Sequence, residues 1–283
     1  MKKIVLILIL FIGYGTTGVV KAQNVMDGLY PKEHVPNRKP IPFAHIREAD
    51  VMWAKKIWRI IDLREKMNLS LYYPITQMDD RYSLIDLLLY GIKYEGLTAY
   101  SGDDDEFKRS LTPEQVDIEM GAVADTQDVK NADTGLWEQK VIGGSIRTDE
   151  VKQIMLKEIW FFDRNYSRMD VRIIGICPIR EFEKSDGNSG KSQIMKKPVF
   201  WIYYPEARNL FASHEVFNPK NDAQRRTFDD IFLKRYFGSY IIKESNVYSN
   251  RRIEDYTAGM DAMLESERIK NSIFRMEQDM WEF

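Results

Sequence analysis

Cysteine is nearly missing. Cys177 is the only one in 283 residues, which excludes an intramolecular disulfide and any cysteine-based zinc cluster. Histidine is almost as scarce, with only His34, His45 and His214 to serve acid–base or metal chemistry. Neither sign of charge dominates: 41 basic against 43 acidic residues leave a net charge of −2, too balanced for a dedicated nucleic-acid binder. What is present is globular. Hydrophobic residues make up 44%, aromatics 12% and charged residues 30%, which excludes a disordered, collagen-like or multi-span membrane chain. The length suits one large domain or two modest ones.

Residues 1–22 read as a secretory signal peptide. Lys2 and Lys3 form a positive end, Ile4 to Ile12 is unbroken apolar sequence, and Val20-Lys21-Ala22 places small residues before a cut at Gln23. The apolar core is short against the ~20 residues of a spanning helix. No cysteine lies near the cut, so a lipid anchor on the mature end is excluded and membrane attachment has to come through a partner. An exported chain without disulfides fits a bacterial periplasm better than a small eukaryotic secreted scaffold.

Residues 23–45 hold Pro31, Pro36, Pro40 and Pro42 and no apolar periodicity. Proline removes amide donors and keeps the chain extended, so this is an arm with no core of its own. Two readings stand: a mobile leader, or a segment that orders on a partner through Tyr30, Val35, Ile41 and Phe43. Residues 46–283 are then a single α+β domain ending in a long helix.

From Arg47 to Met67 the spacing predicts a helix, because Ile46, Trp53, Ile57 and Ile60 recur at intervals of seven, four and three. Val51 and Trp58 fall on nearly the opposite side, so this helix should be covered on two faces, by its own core or by another subunit. A second helix is predicted over Arg81–Gly91 with Gly91 as its stop, followed by a strand over Lys93–Tyr100. Thr112, Pro113 and Gln115 form the start of a short helix with a capping box. Ile154–Phe162 and Arg168–Ile179, joined by the turn-forming Asp163–Ser167, read as a β-hairpin. A polar loop over Glu181–Ser192, strands at Val199–Tyr204 and Phe237–Lys243, and a helix at Thr227–Lys234 complete the middle of the chain. The last helix, about Asp255–Trp281, carries Ile269, Ile273, Met276 and Met280 as a heptad-like stripe, widened by Phe274 and Trp281. The fold class expected is α+β: an antiparallel sheet of about four to five strands packed with helices, preceded by an extended proline-rich N-terminal arm.

Candidate chemistry is thin. Gly190-Lys191-Ser192 resembles the end of a phosphate-binding loop, but Gly187 and Gly190 stand two residues apart where that loop needs four. Asp103 to Glu106 are four consecutive acids without the alternate spacing and central glycine of a calcium loop. Cys177 lies in a buried-strand context, where a thiol acts as a small hydrophobe. A pocket assembled from distant carboxylates such as Asp62, Asp163 or Glu181 is left open, but nothing selects one. The expectation is no catalytic residue, no metal and no cofactor. Partner contacts are expected at Tyr30, Pro31, Pro36, Pro40 and Phe43 in the arm, at Val51 and Trp58, and at Ile269, Ile273, Phe274, Met276, Met280 and Trp281 in the last helix.

Two long segments carry a resemblance. The run from Arg47 to Asn68, with Asp50, Trp53, Trp58, Arg59, Asp62 and Arg64, resembles the gliding-motility GldN (PorN) family. So does the hairpin Lys157–Asp163 with Met169–Pro178, and the likeness extends from the signal peptide to the last helix. The resemblance implies a non-enzymatic periplasmic component of the type IX secretion system, at the inner face of the outer membrane. It implies a ring built with the lipoprotein GldK (PorK), self-association within it, and contact with the GldL–GldM (PorM) motor. A monomeric periplasmic binding module and a hydrolase are the rival expectations.

Overall fold

The computed structural model describes residues 34–280 apart from 79–80, 123–124, 131–136, 143, 145, 186–191 and 222. In chain order the elements are β1 (Val51–Asp62), α1 (Leu69–Tyr72), α2 (Leu84–Tyr94), β2 (Ala99–Ser101), β3 (Ser110–Leu111), α3 (Pro113–Glu119), β4 (Asp125–Lys130) and β5 (Trp137–Ile142). They continue with β6 (Val151–Asp163), β7 (Arg168–Ser185), β8 (Ser192–Pro198), β9 (Phe200–Tyr203), α4 (Tyr204–Ser213), β10 (Glu215–Val216), β11 (Arg226–Thr227), α5 (Phe228–Leu233), β12 (Tyr240–Glu244) and α6 (Met260–Asp279). Val35–Phe283 is a compact unit.

The class is α+β as expected, but the sheet is larger than expected. Eight antiparallel strands run in the order β12-β1-β6-β7-β9-β2-β3, with β8 paired to the far part of β7. The hairpin β6–β7 is its centre. Asp163 Oδ1 accepts the Asn165 amide at 2.8 Å to set the turn, and Ile174 bulges where Lys157 faces Gly175 and Glu158 faces Ile173. The stretch read as a polar loop after Glu181 instead extends β7 to Ser185 and returns as β8.

The helix predicted over Arg47–Met67 is strand β1. Its first six residues alternate in exposure and the next five are buried on both faces, with Ile57 and Ile61 in the clusters of one face and Trp58 and Ile60 in the cluster of the other. A strand covered on both faces shows no period of two, and its apolar run then matches a helical spacing by coincidence. Ile57, Arg59 and Ile61 face one way with Glu158, Leu156 and Ile154 opposite them, while Trp58 and Ile60 face the other with Lys157 and Met155.

On the first face lies the main core. Ile61, Ile154, Leu156, Ile176, Phe200 and Ile202 pack with Leu87 and Leu88 of α2, Phe211 of α4, and Phe228 and Phe232 of α5. Ser83 caps α2, accepting the Asp86 amide. Gly91, the expected stop, is instead buried within α2: a Cβ there would sit 2.5 Å from Leu210 Cδ2, so its absence lets α4 approach. Helix α4 was not expected from the sequence, which reads as strand up to Tyr204. The capping box of α3 is present as predicted, with Thr112 accepting the Gln115 amide. Toward β12 the same face is covered by α6, whose Ile269 and Ile273 pack on Ile57, Ile241 and Ile253.

The second face carries Trp58, Ile60, Met155, Cys177, Ile179, Trp201 and Ile242, with Tyr100 and Phe107 against them. Its lid is the segment after β2. Residues 35–44 of the arm rest on the domain itself: Val35 is buried, Arg38 forms a bidentate pair with Asp230 at 2.6 and 3.0 Å, and Arg172 donates to the Ala44 carbonyl. The Phe43 ring lies 4.1 Å from the Arg208 guanidinium.

Candidate interaction surface

Helix α6 is fastened along one line only. Ile269 and Ile273 anchor it, the Ser266 hydroxyl accepts the Ile241 amide of β12 at 3.0 Å, and Tyr256 and Arg268 both reach Glu265. Away from that line, Met260 is 70% exposed, Met263 72%, Leu264 62% and Phe274 56%. Exposed large apolar side chains grouped on one helix mark an interaction surface more than scattered ones do.

Beside the helix lies a groove of about 730 Å³, with Trp53 and Lys55 of β1 on one wall and Leu264, Arg268, Arg275 and Met276 among the residues of the other. It exists because β12 pairs with β1 only from Ile57 to Ile60. Upstream, the outer edge of β1 has no neighbouring strand among the described residues.

The floor near this groove is stiffened by a buried ionic cluster. Glu158, fully buried on β6, accepts from Arg235 at 2.8 and 3.2 Å and from the Trp160 indole at 3.0 Å. Arg59 Nε lies 3.2 Å from the same carboxylate, and burial pulls the Arg59 guanidinium below its usual range. Such a carboxylate is tolerable inside only because several donors surround it.

Behind Trp58, Asp105 of the acidic segment is tied to the sheet, while Asp103 and Glu106 are exposed. Lys157 donates to the Asp105 carbonyl, and Lys243 lies 3.6 Å from Asp105 Oδ2 and 4.2 Å from the Trp58 ring centroid. Burial holds the Lys157 ammonium below the usual lysine range, against the pull of Asp105.

The expected contact residues divide. Tyr30, Pro31 and Trp281 lie outside the described residues. Pro36 is exposed; Pro40, Phe43 and Val51 are half-buried. Trp58, 3% exposed, faces the protein's own interior, and Ile269 and Ile273 are taken up in docking α6. Those three are core residues here, because the second coverings expected from a neighbour are supplied by the segment bearing Phe107 and by the sheet. Phe274 is exposed, and Met276 and Met280 are half-buried. Sequence reasoning passed over Leu264, Lys55 and Arg275. Reading β1 as a strand would have put Lys55 with Trp53 and Ile57 by the period of two.

Cys177 is fully buried, and burial pushes its thiol up, away from the reactive form. His214 Nδ1 sits 2.9 Å from the Leu210 carbonyl and 3.0 Å from Ser213 Oγ, among Tyr82 and Tyr90. Among the described residues no group of three His, Cys, Asp or Glu is placed to hold a metal, and no helix is long and apolar enough to cross a membrane.

An α+β domain that leaves a strand edge and an apolar helical flank uncovered, side by side, has the surface of an assembling protein. Over residues 46–282 the chain matches the gliding motility associated protein GldN, and it belongs to that family. No curated protein matches it. The family is one of components of gliding motility and type IX secretion, structural parts of a secretion system and not a known enzyme family.

Proposed function

We propose that this protein is a non-enzymatic structural component of the type IX secretion system that works in the periplasm at the inner face of the outer membrane. It assembles with copies of itself and with the lipoprotein GldK (PorK) into a ring, and meets the GldL–GldM motor. The observation that carries this reading is the exposed apolar flank of α6, formed by Met260, Met263, Leu264 and Phe274 on a helix already fixed to its own sheet.

Magnitudes favour many contacts over one. Fully burying one such side chain stabilises by about 1.5–3 kcal/mol, so four give on the order of 6–12 kcal/mol. Association costs an estimated ~4–15 kcal/mol in lost translational and rotational freedom. A single pairwise contact is therefore weak, whereas a closed head-to-tail ring gives every subunit two.

The test is the native size and composition of tagged protein gently extracted from the envelope of its own host. A very large particle carrying a lipoprotein in near-equal amount is expected. A free monomer overturns the reading and turns the search to a monomeric binding module or a hydrolase.

A further inference from the structure

We propose that the groove between the outer edge of β1 and α6 receives residues 24–30 of a neighbouring copy as an added β-strand. The inference rests on the reading above that the chain assembles with copies of itself.

The edge dictates the kind of occupant. Lys56 already offers its carbonyl outward, to the Ser245 amide at 2.9 Å. Backbone groups alternate in direction along a strand, so Ala54 directs its own the same way, past the point where β12 pairing ends at Ile57 and up to the bulge between Val51 and Trp53. A row of unpaired main-chain donors and acceptors is matched by an extended peptide, not by a helix or a small molecule. The groove runs along α6 from Leu264 to Asp279, about 22 Å of helix at 1.5 Å per residue. That length holds six or seven extended residues at ~3.3 Å each.

The walls dictate its side chains. Trp53, Leu264 and Met276 offer apolar surface. Lys55 is taken by Glu244 at 2.6 Å and Arg268 by Glu265 at 2.5 Å. Arg275 lines the groove with no ion-pair partner among the described residues, as does Asp279 at the groove's far end, while the other lining acid, Glu267, is taken by Lys270 at 3.3 Å. An occupant with several apolar residues and one acid suits this surface. Residues 24–30, Asn24-Val25-Met26-Asp27-Gly28-Leu29-Tyr30, have four such apolar residues and a single charge, at Asp27, and stop at Pro31, which has no amide to donate.

A neighbour is taken as the donor on the reading that the chain assembles with copies of itself; the chain's own arm is held from Arg38 onward on another part of the domain. Arg38 fixes it to Asp230 of α5, and Phe43 then seats it on Arg208 of α4, whereas the groove lies over the separate cluster built by α6 and β12. Donation of an arm to the next copy is a heterologous contact, the kind that generates a ring when its rotation closes.

The test uses full-length chains in their own host. Because Cys177 is buried and unreactive, introduced thiols report alone. One tagged copy carries Ala54→Cys, and a second, differently tagged copy carries Val25→Cys, Met26→Cys or Asp27→Cys. With one new thiol per chain, a disulfide between the two tags forms only between copies. The expected result is a mixed-tag disulfide dimer for at least one pair, lowered at least tenfold by Arg275→Glu on the acceptor and restored by Asp27→Arg on a donor cross-linked through Val25 or Met26. Absence of any mixed dimer overturns the inference, as does an intrachain disulfide when Ala54→Cys and an arm cysteine share one chain. Particle size is measured in the same extract: a large particle without the dimer removes the strand donation and leaves the proposed function standing, while a monomer removes both.

Discussion

Phe107 rests on Gly175: a Cβ at Gly175 would lie 2.6 Å from the Phe107 ring, closer than any real contact allows. The ring is also edge-on to Tyr100, Trp201 and Tyr203, and Phe107 holds a φ of 59°, in the left-handed region. One glycine on the sheet's second face thereby makes the seat for the segment that covers it. Gly175→Ala is expected to cost about 1–3 kcal/mol as overpacking, and to cost clearly less in a Phe107→Ala background. Urea unfolding of the four members of this cycle measures the coupling; strict additivity would show that the ring does not use the seat.

The Glu158 cluster predicts a large loss from a small change. Glu158→Gln leaves Arg59 buried without a counter-charge, and about 3–5 kcal/mol of stability should go with it. Chemical denaturation gives the number, and a loss below ~1 kcal/mol would mean that solvent reaches Arg59 as freely as a surface arginine.

Asp62 predicts a feature in the acid limb of stability. Hydrogen bonds from Arg64 at 2.5 and 2.9 Å bring its carboxyl down from 3.8 to about 2. A folded value below the unfolded one stabilises the native state above the unfolded value, and that contribution fades as pH falls from about 4 to about 2. Asp62→Asn should flatten the stability curve across that window; an unchanged slope there rules the pair out as a contributor.

Helix α6 predicts a contrast between two residues five positions apart. Ile269→Ala, which opens the contact with Ile57 and Ile241, should lower stability by ~2–5 kcal/mol. Phe274→Asp, on the exposed side, should change it by no more than about 0.5 kcal/mol while reducing the fraction of protein in large particles. Thermal melts and native sizing of both variants decide it. A Phe274 variant that melts early but still assembles would place the assembly surface elsewhere.

The hairpin was legible in the sequence because branched and aromatic residues flank a turn that only Asp163 to Ser167 could make. The cap at Thr112 was legible because its hydrogen bonds are local. Strand β1 was not, since its two faces are covered by the helices of the main core and by the segment bearing Phe107, distant parts of the chain whose packing hides the alternation that marks a strand. β8 was hidden by its polarity, and α4 by the apolar run of β9 that leads into it. The same logic governs the candidate surface. Of the exposed flank of α6 only Phe274 was legible from periodicity, because Met260, Met263 and Leu264 precede the Ile269–Met280 stripe; the open edge beside it depends on where β12 stops, and no local pattern records that.

The pairing of β1 with β12 also orders the folding of the chain in time. Synthesis delivers the N-terminal strand first, and β6 and β7 can join it once their hairpin is made. The other side of β1 stays bare until Tyr240–Glu244 arrives near the end. Closing so distant a pair is slow, and during that interval Ile57 and Ile61 offer an apolar strand to any other chain nearby. The protein is thus most prone to stray association before its last strand is laid down, and a chain truncated ahead of Tyr240 should persist only where a chaperone holds that edge.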